Sequence, residues 1–285
     1  SAPTVDSATL TPAEPNSIDA LLCVPSGFID VDGDPPAYTY RWFLDDQPVV
    51  DQTTDVLPSY VTTKGQSVAC EVTPIDEEAS GIPVFSNAVI INNSPPTIEA
   101  AVLTPEEGGL TTAFACSAVN AIDPDNDAVT VSYGWLVNNA LVPGEFGATY
   151  IPSSALPAST LSCQVRGNDG SAFGDTVSSN IVVLQNEPPS IGSVAILPAE
   201  PRTLDSLTCI ASEVGDPEDQ TVLLTYAWSV NDVVIADNTI STLAPEYFTK
   251  GQSVACSVTA SDPYTAGDAV ESSVDILNTL PTVGQ

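Results

Sequence analysis

Six cysteines, at positions 23, 70, 116, 163, 209 and 256, form three couples, each 47 residues apart and recurring every 93 residues. A fixed period of this length points to a tandem array of one folding unit. The tryptophans obey the same ruler: Trp42, Trp135 and Trp228 each lie 19 residues after the first cysteine of their copy, and Tyr40, Tyr133 and Tyr226 precede them by two. The junctions repeat as well, "NSPPTI" at 93–98 and "NEPPSI" at 186–191. Paired prolines fix extended backbone and cannot continue a hydrogen-bonded ladder, so these are short, stiff linkers. The copies are therefore assigned as 1–93, 94–186 and 187–279. The tail 280–285, within "NTLPTV", resembles the head of the chain, "SAPTV", and reads as a linker or the start of a further repeat.

Inside each copy the apolar period is two. Val68, Cys70 and Val72 alternate with small or polar residues, as do Leu161, Cys163 and Val165, and Val254, Cys256 and Val258. Tyr40, Trp42 and Leu44 repeat the pattern, and Val89 with Ile91 marks a last strand. Alternation of this kind indicates half-buried antiparallel strands, and "LDDQP", "TKGQ" and "NDG" supply turns between them. No helix longer than a turn or two is expected. About seven strands per copy make an all-β chain of three β-sandwiches.

Cysteine, tryptophan and cysteine, each on an alternating strand, resemble the immunoglobulin-like fold. The resemblance covers all three copies. It implies an inter-sheet disulfide between the second and sixth strands, hence bridges Cys23–Cys70, Cys116–Cys163 and Cys209–Cys256, with the tryptophan packed on each. The alternative is three couples of buried free thiols. A bridge closing such a loop contributes about 4 kcal/mol on the chain-entropy model. Two features depart from antibody domains. The cysteine-to-tryptophan interval is longer, and Val68, Leu161 and Val254 stand where a tyrosine is usual. The unit is similar to the immunoglobulin-like, PKD-like and cadherin-like repeats of bacterial extracellular and surface proteins, although the Trp-Asp-Phe-Gly-Asp-Gly signature of PKD repeats is absent. Three matched couples read as paired cysteines, and pairing implies an extracellular or cell-surface location.

The long interval holds a repeated acidic stretch: "FIDVDGDPP" (28–36), "AIDPDNDAV" (121–129) and "EVGDPEDQT" (213–221). Its in-register positions are Asp30, Asp32 and Asp34; Asp123, Asp125 and Asp127; and Asp216, Glu218 and Gln220. A fourth acid, Asp76, Asp169 or Asp262, lies six residues after each second cysteine. In the topology that the resemblance implies, the two loops meet at one end of the sandwich, so four positions converge. Converging carboxylates repel unless protonated or bridged by a cation. A hard cation with several oxygen ligands fits, and calcium is the expected cofactor; zinc would want His or free Cys. The spacing is not that of an EF-hand, and the plain alternative is an Asp/Gly/Pro turn. Asn93, Asn186 and Asn278 sit in the linkers at this end, where a cation would tie a linker to the following copy.

The net charge of −32 leaves no basic stripe for nucleic acid, and it disfavours anionic membrane surfaces. No apolar run approaches the roughly 20 residues of a membrane-spanning helix. With no histidine, His-based triads and metal centres are excluded, and no phosphate-cradling or nucleophile-elbow motif occurs, so an enzyme is not expected. The two lysines, Lys64 and Lys250, have no counterpart in the second copy, which argues against a repeated isopeptide crosslink. "NNS" at 92–94 is a lone glycosylation sequon.

The expectation is a non-enzymatic structural protein: a rod, stalk or filament of disulfide-stapled, calcium-stiffened repeats whose partners are other copies of itself or neighbouring repeats. The alternative is an adhesin, or a module binding a surface glycan or protein through loops at one end. The aromatics not shared between copies, Phe173 and Tyr264, are its candidate contacts.

Overall fold

In the computed structural model, which describes residues 1–279, the period-two pattern becomes two facing antiparallel sheets three times over. Copy one contains β1 (Ser7–Thr11), β2 (Leu21–Ser26), β3 (Ala37–Leu44), β4 (Gln47–Pro48), β5 (Val56–Leu57), β6 (Ser67–Ile75), β7 (Val84–Phe85) and β8 (Val89–Ile90). Copy two contains β9 (Thr97–Thr104), β10 (Phe114–Ile122), β11 (Thr130–Val137), β12 (Ala140–Leu141), β13 (Thr149–Tyr150), β14 (Thr160–Asn168), β15 (Phe173–Ser178) and β16 (Val182–Val183). Copy three contains β17 (Ser190–Leu197), β18 (Leu207–Gly215), β19 (Leu223–Val230), β20 (Val233–Val234), β21 (Thr242–Leu243), β22 (Ser253–Ser261) and β23 (Val270–Asp275). The only helical pieces among the described residues are the 3₁₀ turns Ser59–Val61 and Pro245–Tyr247, and none is long or apolar enough to cross a membrane.

Each copy has the same strand order. A three-stranded sheet, β1-β2-β5 in copy one, faces a larger one, β4-β3-β6-β7, with β8 also on β6. This is the immunoglobulin-like arrangement, three times in tandem. Copies one and two carry one more strand than the seven expected. There the last strand is interrupted where the hydroxyls of Ser86 and Ser179 accept the Cys70 and Cys163 N–H at 3.0 and 2.9 Å. In copy three β23 runs unbroken through Cys256↔Ser272.

The disulfides Cys23–Cys70, Cys116–Cys163 and Cys209–Cys256 join the two sheets of each copy, across Cα–Cα distances of 6.3, 6.1 and 6.4 Å. The tryptophan sits directly opposite the second cysteine on the neighbouring strand: Trp42↔Cys70, Trp135↔Cys163, Trp228↔Cys256. All three indoles are fully buried. A buried indole N–H needs an acceptor, and each finds a backbone carbonyl twelve residues downstream, on Thr54, Gly147 and Ile240, at 2.9, 2.9 and 3.0 Å. Leu21, Leu57, Val68 and Val72 surround the first pair, and separate clusters do the same in the other copies.

Two-residue turns close the β3–β4 hairpin and its equivalents. Asp45–Asp46, Asn138–Asn139 and Asn231–Asp232 all have positive φ, as turns matched to strand twist require. Asp45, Asn138 and Asn231 accept the N–H of Ser67, Thr160 and Ser253, locking the hairpin to the next strand. The tail 280–285, expected as a linker or the start of a further repeat, lies outside the described residues.

Because each core is closed by its own bridge, replacing both Cys116 and Cys163 by Ala should destabilise copy two by about 4 kcal/mol. Calorimetry should show one unfolding transition moved down while those of the other copies stay in place.

Candidate functional site

The acidic loops begin with an aspartate whose role is identical in all copies. One oxygen of Asp30 accepts the N–H of Asp32 and Asp34 at 2.7 and 3.3 Å. Asp123 does the same for Asp125 and Asp127 at 2.8 and 3.2 Å, and Asp216 for Glu218 and Gln220 at 2.8 and 3.1 Å. This side-chain turn explains why an Asp stands at that position. The other oxygen of Asp30, Asp123 and Asp216 is buried and has no hydrogen-bond partner. A buried carboxylate oxygen left unpaired is costly, and a bound cation would remove that cost.

The second loop repeats the device. Asp76, Asp169 and Asp262 each accept backbone N–H groups two and three residues ahead through one oxygen. The second oxygen looks across the junction. Asn93 Nδ2 donates to Asp169 and Asn186 Nδ2 to Asp262, both at 2.8 Å. Asp76 keeps its second oxygen buried and unpaired.

The four-fold convergence expected in each copy is not what forms. In copy one, oxygens of Asp30, Asp34 and Asp76 lie within 4.8 Å of one another, while Asp32 turns outward to the amino group of Ser1. In copy two, Asp123, Asp125 and Asp127 converge within 4.8 Å, while Asp169 is drawn off by Asn93. In copy three no such group forms among the described residues. Gln220 stands in place of an acid there, and its amide donates to Glu218 at 2.7 Å and to Asn186 at 2.9 Å. The donor sets in copies one and two are all oxygen, which suits a hard cation.

The linkers are fastened by the same acids. Asp125 accepts the N–H of Ser94 at 2.8 Å, and Glu218 accepts that of Glu187 at 3.3 Å. Lys64, on copy one, donates to Asn93 Oδ1 at 3.0 Å and forms an ion pair with Asp127 of copy two. Ser94, the last residue of the sequon, is fully buried, its hydroxyl 2.7 Å from that of Ser17. Three glycines complete the seat. A Cβ on Gly81, Gly174 or Gly267 would stand 1.9, 2.0 and 2.0 Å from the carbonyl oxygens of Pro3, Pro96 and Pro189, so the linker can lie only against glycine. These glycines sit on the 93-residue period, and that spacing was the available signal for them.

The electrostatics follow the contacts. Asn93's amide above all, with the Ala172 and Ser171 N–H groups and the Lys64 charge, holds Asp169 down to about 2 against the effect of burial. Burial acts to raise Asp262, but the Asn186 amide and the Thr265 and Tyr264 N–H groups outweigh it and leave it lowered. Burial raises Glu218. The Asp127 carboxylate raises Lys64. Phe173 and Tyr264 are both half exposed; Phe173 opens β15 instead of lying in a loop, and Arg166 stacks over its ring at 4.6 Å.

No protein-family model matches the chain, and no curated protein matches it. Solved structures similar to it cover nearly its whole length. A structure described as a Ca2+-stabilized adhesin that helps an Antarctic bacterium bind ice is 14% identical, covers 97% of this chain and 74% of its own, and gives a TM-score of 0.36. The three N-terminal domains of the bacteriophage RB49 outer capsid protein Hoc are 14% identical over 98% of this chain and 100% of their own, at 0.27. Three fibronectin-type domains of chicken CNTN1 are 10% identical over 97% of both chains, at 0.25. Likeness at this level says nothing about what the chain binds.

The lowered Asp169 contributes to the junction above its ordinary value of 3.8, and the contribution is lost as pH falls toward 2. Replacing Asn93 by Ala should raise the Asp169 pKa toward 3.8 in a carboxyl NMR titration. The junction should then loosen at a higher pH than in the unaltered chain.

Proposed function

We propose that the chain is a non-enzymatic structural segment of an extracellular or cell-surface protein: an array of immunoglobulin-like repeats whose junctions are held stiff, with calcium bound in the acidic loops. The observation that carries this reading is that both junctions are fastened by the same contact, a linker asparagine donating to the second-loop aspartate of the next copy. A freely hinged linker would need no such side chain. Repeat boundaries at 93/94 and 186/187 belong to the same proposal, since each linker asparagine ends one unit and is read by the next. The disulfides suit an oxidising compartment, and the repeat resemblance suggests a bacterial surface. A rod, stalk or filament is the form such an array would take, with neighbouring repeats or further copies as its partners.

Calcium rests on two features: three convergent carboxylates in each of copies one and two, and the unpaired buried oxygens of Asp30, Asp76 and Asp123. The ligands proposed are Asp30, Asp34 and Asp76 in copy one, joined by Asp32 if its contact with Ser1 opens. In copy two they are Asp123, Asp125 and Asp127, with Asp169 at the rim. In copy three Asp216, Glu218 and Asp262 make a weaker site, because Gln220 removes one charge. Melting curves in calcium and in chelator test this directly. Millimolar calcium should raise the lowest transition by several degrees, and superimposable curves would remove calcium from the account.

The adhesive alternative has one observation in its favour. The half-exposed Phe173 lines a surface groove with Pro95, Pro96 and Ile98. Glycan-array binding that is lost in Phe173→Ala would support it.

A further inference from the structure

The two junctions differ in one respect that the repeat does not require. At the first, a cation already stands among the acids. Lys64 reaches from the turn before β6 of copy one into the loop of copy two, where its ammonium pairs with Asp127 and donates to Asn93 Oδ1 at 3.0 Å. Asp125 and Asp169 lie close enough to act on its charge. At the second junction the residue one period after Lys64 is Pro157, and the residue one period after Asp127 is Gln220. Lysine with aspartate at one junction is thus replaced by proline with glutamine at the other. Both substitutions are neutral, and the Gln220 amide takes over as donor to the linker asparagine. In copy one, Asp34 holds the position of Asp127 with no lysine beside it among the described residues.

We propose that Lys64 is a tethered counter-ion that occupies the first junction and competes with a divalent cation for the Asp123–Asp125–Asp127 cluster. It thereby sets that site's affinity below that of the Asp30–Asp34–Asp76 cluster. The competition half of this inference rests on the calcium reading above; the tethering half does not. Geometry supports both halves. The ammonium fills one side of the cluster, touching Asp127 and Asn93, yet Asp123 keeps a buried oxygen unpaired, so the cluster is blunted without being fully satisfied. Repulsion between a lysine ammonium and a doubly charged ion a few ångströms away is enough to cost about tenfold or more in affinity. Displacement of Lys64 by the ion would leave Asn93 Oδ1 facing the same space, where it can serve as a further oxygen ligand.

Two measurements on the full chain test the proposal, using Lys64→Gln, which removes the charge, and Lys64→Arg, which keeps it. Calorimetric titration of the unaltered chain with calcium chloride should show a tight site in copy one, with the Lys64-blunted site of copy two and the Gln220-weakened site of copy three both weaker. Lys64→Gln should tighten the copy-two site about tenfold, and Lys64→Arg should leave it weak. Unchanged affinities in Lys64→Gln overturn the competition. In chelator, small-angle scattering should show a broader distribution of maximum dimensions for Lys64→Gln than for the unaltered chain or Lys64→Arg; three identical curves overturn the tether. If calcium binds no form of the chain, both the calcium reading and the competition fall, and the scattering alone decides whether Lys64 holds the junction. If only Lys64→Gln binds it, the competition stands and calcium is removed from copy one.

Discussion

Everything in each copy is referred to one buried pair: a disulfide joining the two sheets and a tryptophan laid opposite its second cysteine. The bridge sets the distance between the sheets. The indole fills the space beside it and reaches a carbonyl on the strand connection twelve residues on. With that centre fixed, the strands on either side have only one register that keeps Val68, Val72 and their equivalents inside. The loops leaving those strands are then delivered to one end of the sandwich, and the acids in them meet the incoming linker. The chemistry at the junction is a consequence of the staple some distance below it.

The junction itself is a problem in charge. A chain of net charge −32 places several carboxylates at each sandwich end, where like charges repel. Backbone N–H groups absorb one oxygen of the leading aspartate of each acidic loop and of each second-loop aspartate. Linker groups absorb others: the Asn93 and Asn186 amides, and the N–H of Ser94 and Glu187. What is left over differs between copies, and that remainder separates a site open to a cation from one blunted by Lys64 or neutralised by Gln220. Repetition thus fixes the scaffold while single substitutions grade the ends.

The fold was legible because its signals are local and periodic. Cysteine and tryptophan spacing, period-two alternation and the "LDDQP" turn of copy one each follow from backbone geometry and need no knowledge of distant contacts. The broken last strands of copies one and two were not legible, because a side-chain hydroxyl on Ser86 or Ser179 replaces a ladder contact without changing the apolar pattern. The acidic positions could be aligned from the sequence and their convergence expected, but which of them converge in each copy could not be read. Asp169 looks equivalent to Asp76 in the sequence and is drawn off by Asn93, a partner remote along the chain. The seats at Gly81, Gly174 and Gly267 show in the sequence only as a periodic glycine, since nothing local says that a proline carbonyl will lie against it.

The whole fold depends on the staples. Mass-spectrometric mapping of the unreduced protein should find three crosslinked peptide pairs, Cys23 with Cys70, Cys116 with Cys163 and Cys209 with Cys256, and no free thiol. A bridge between cysteines of different copies, or cysteines recovered unpaired, would contradict that pairing.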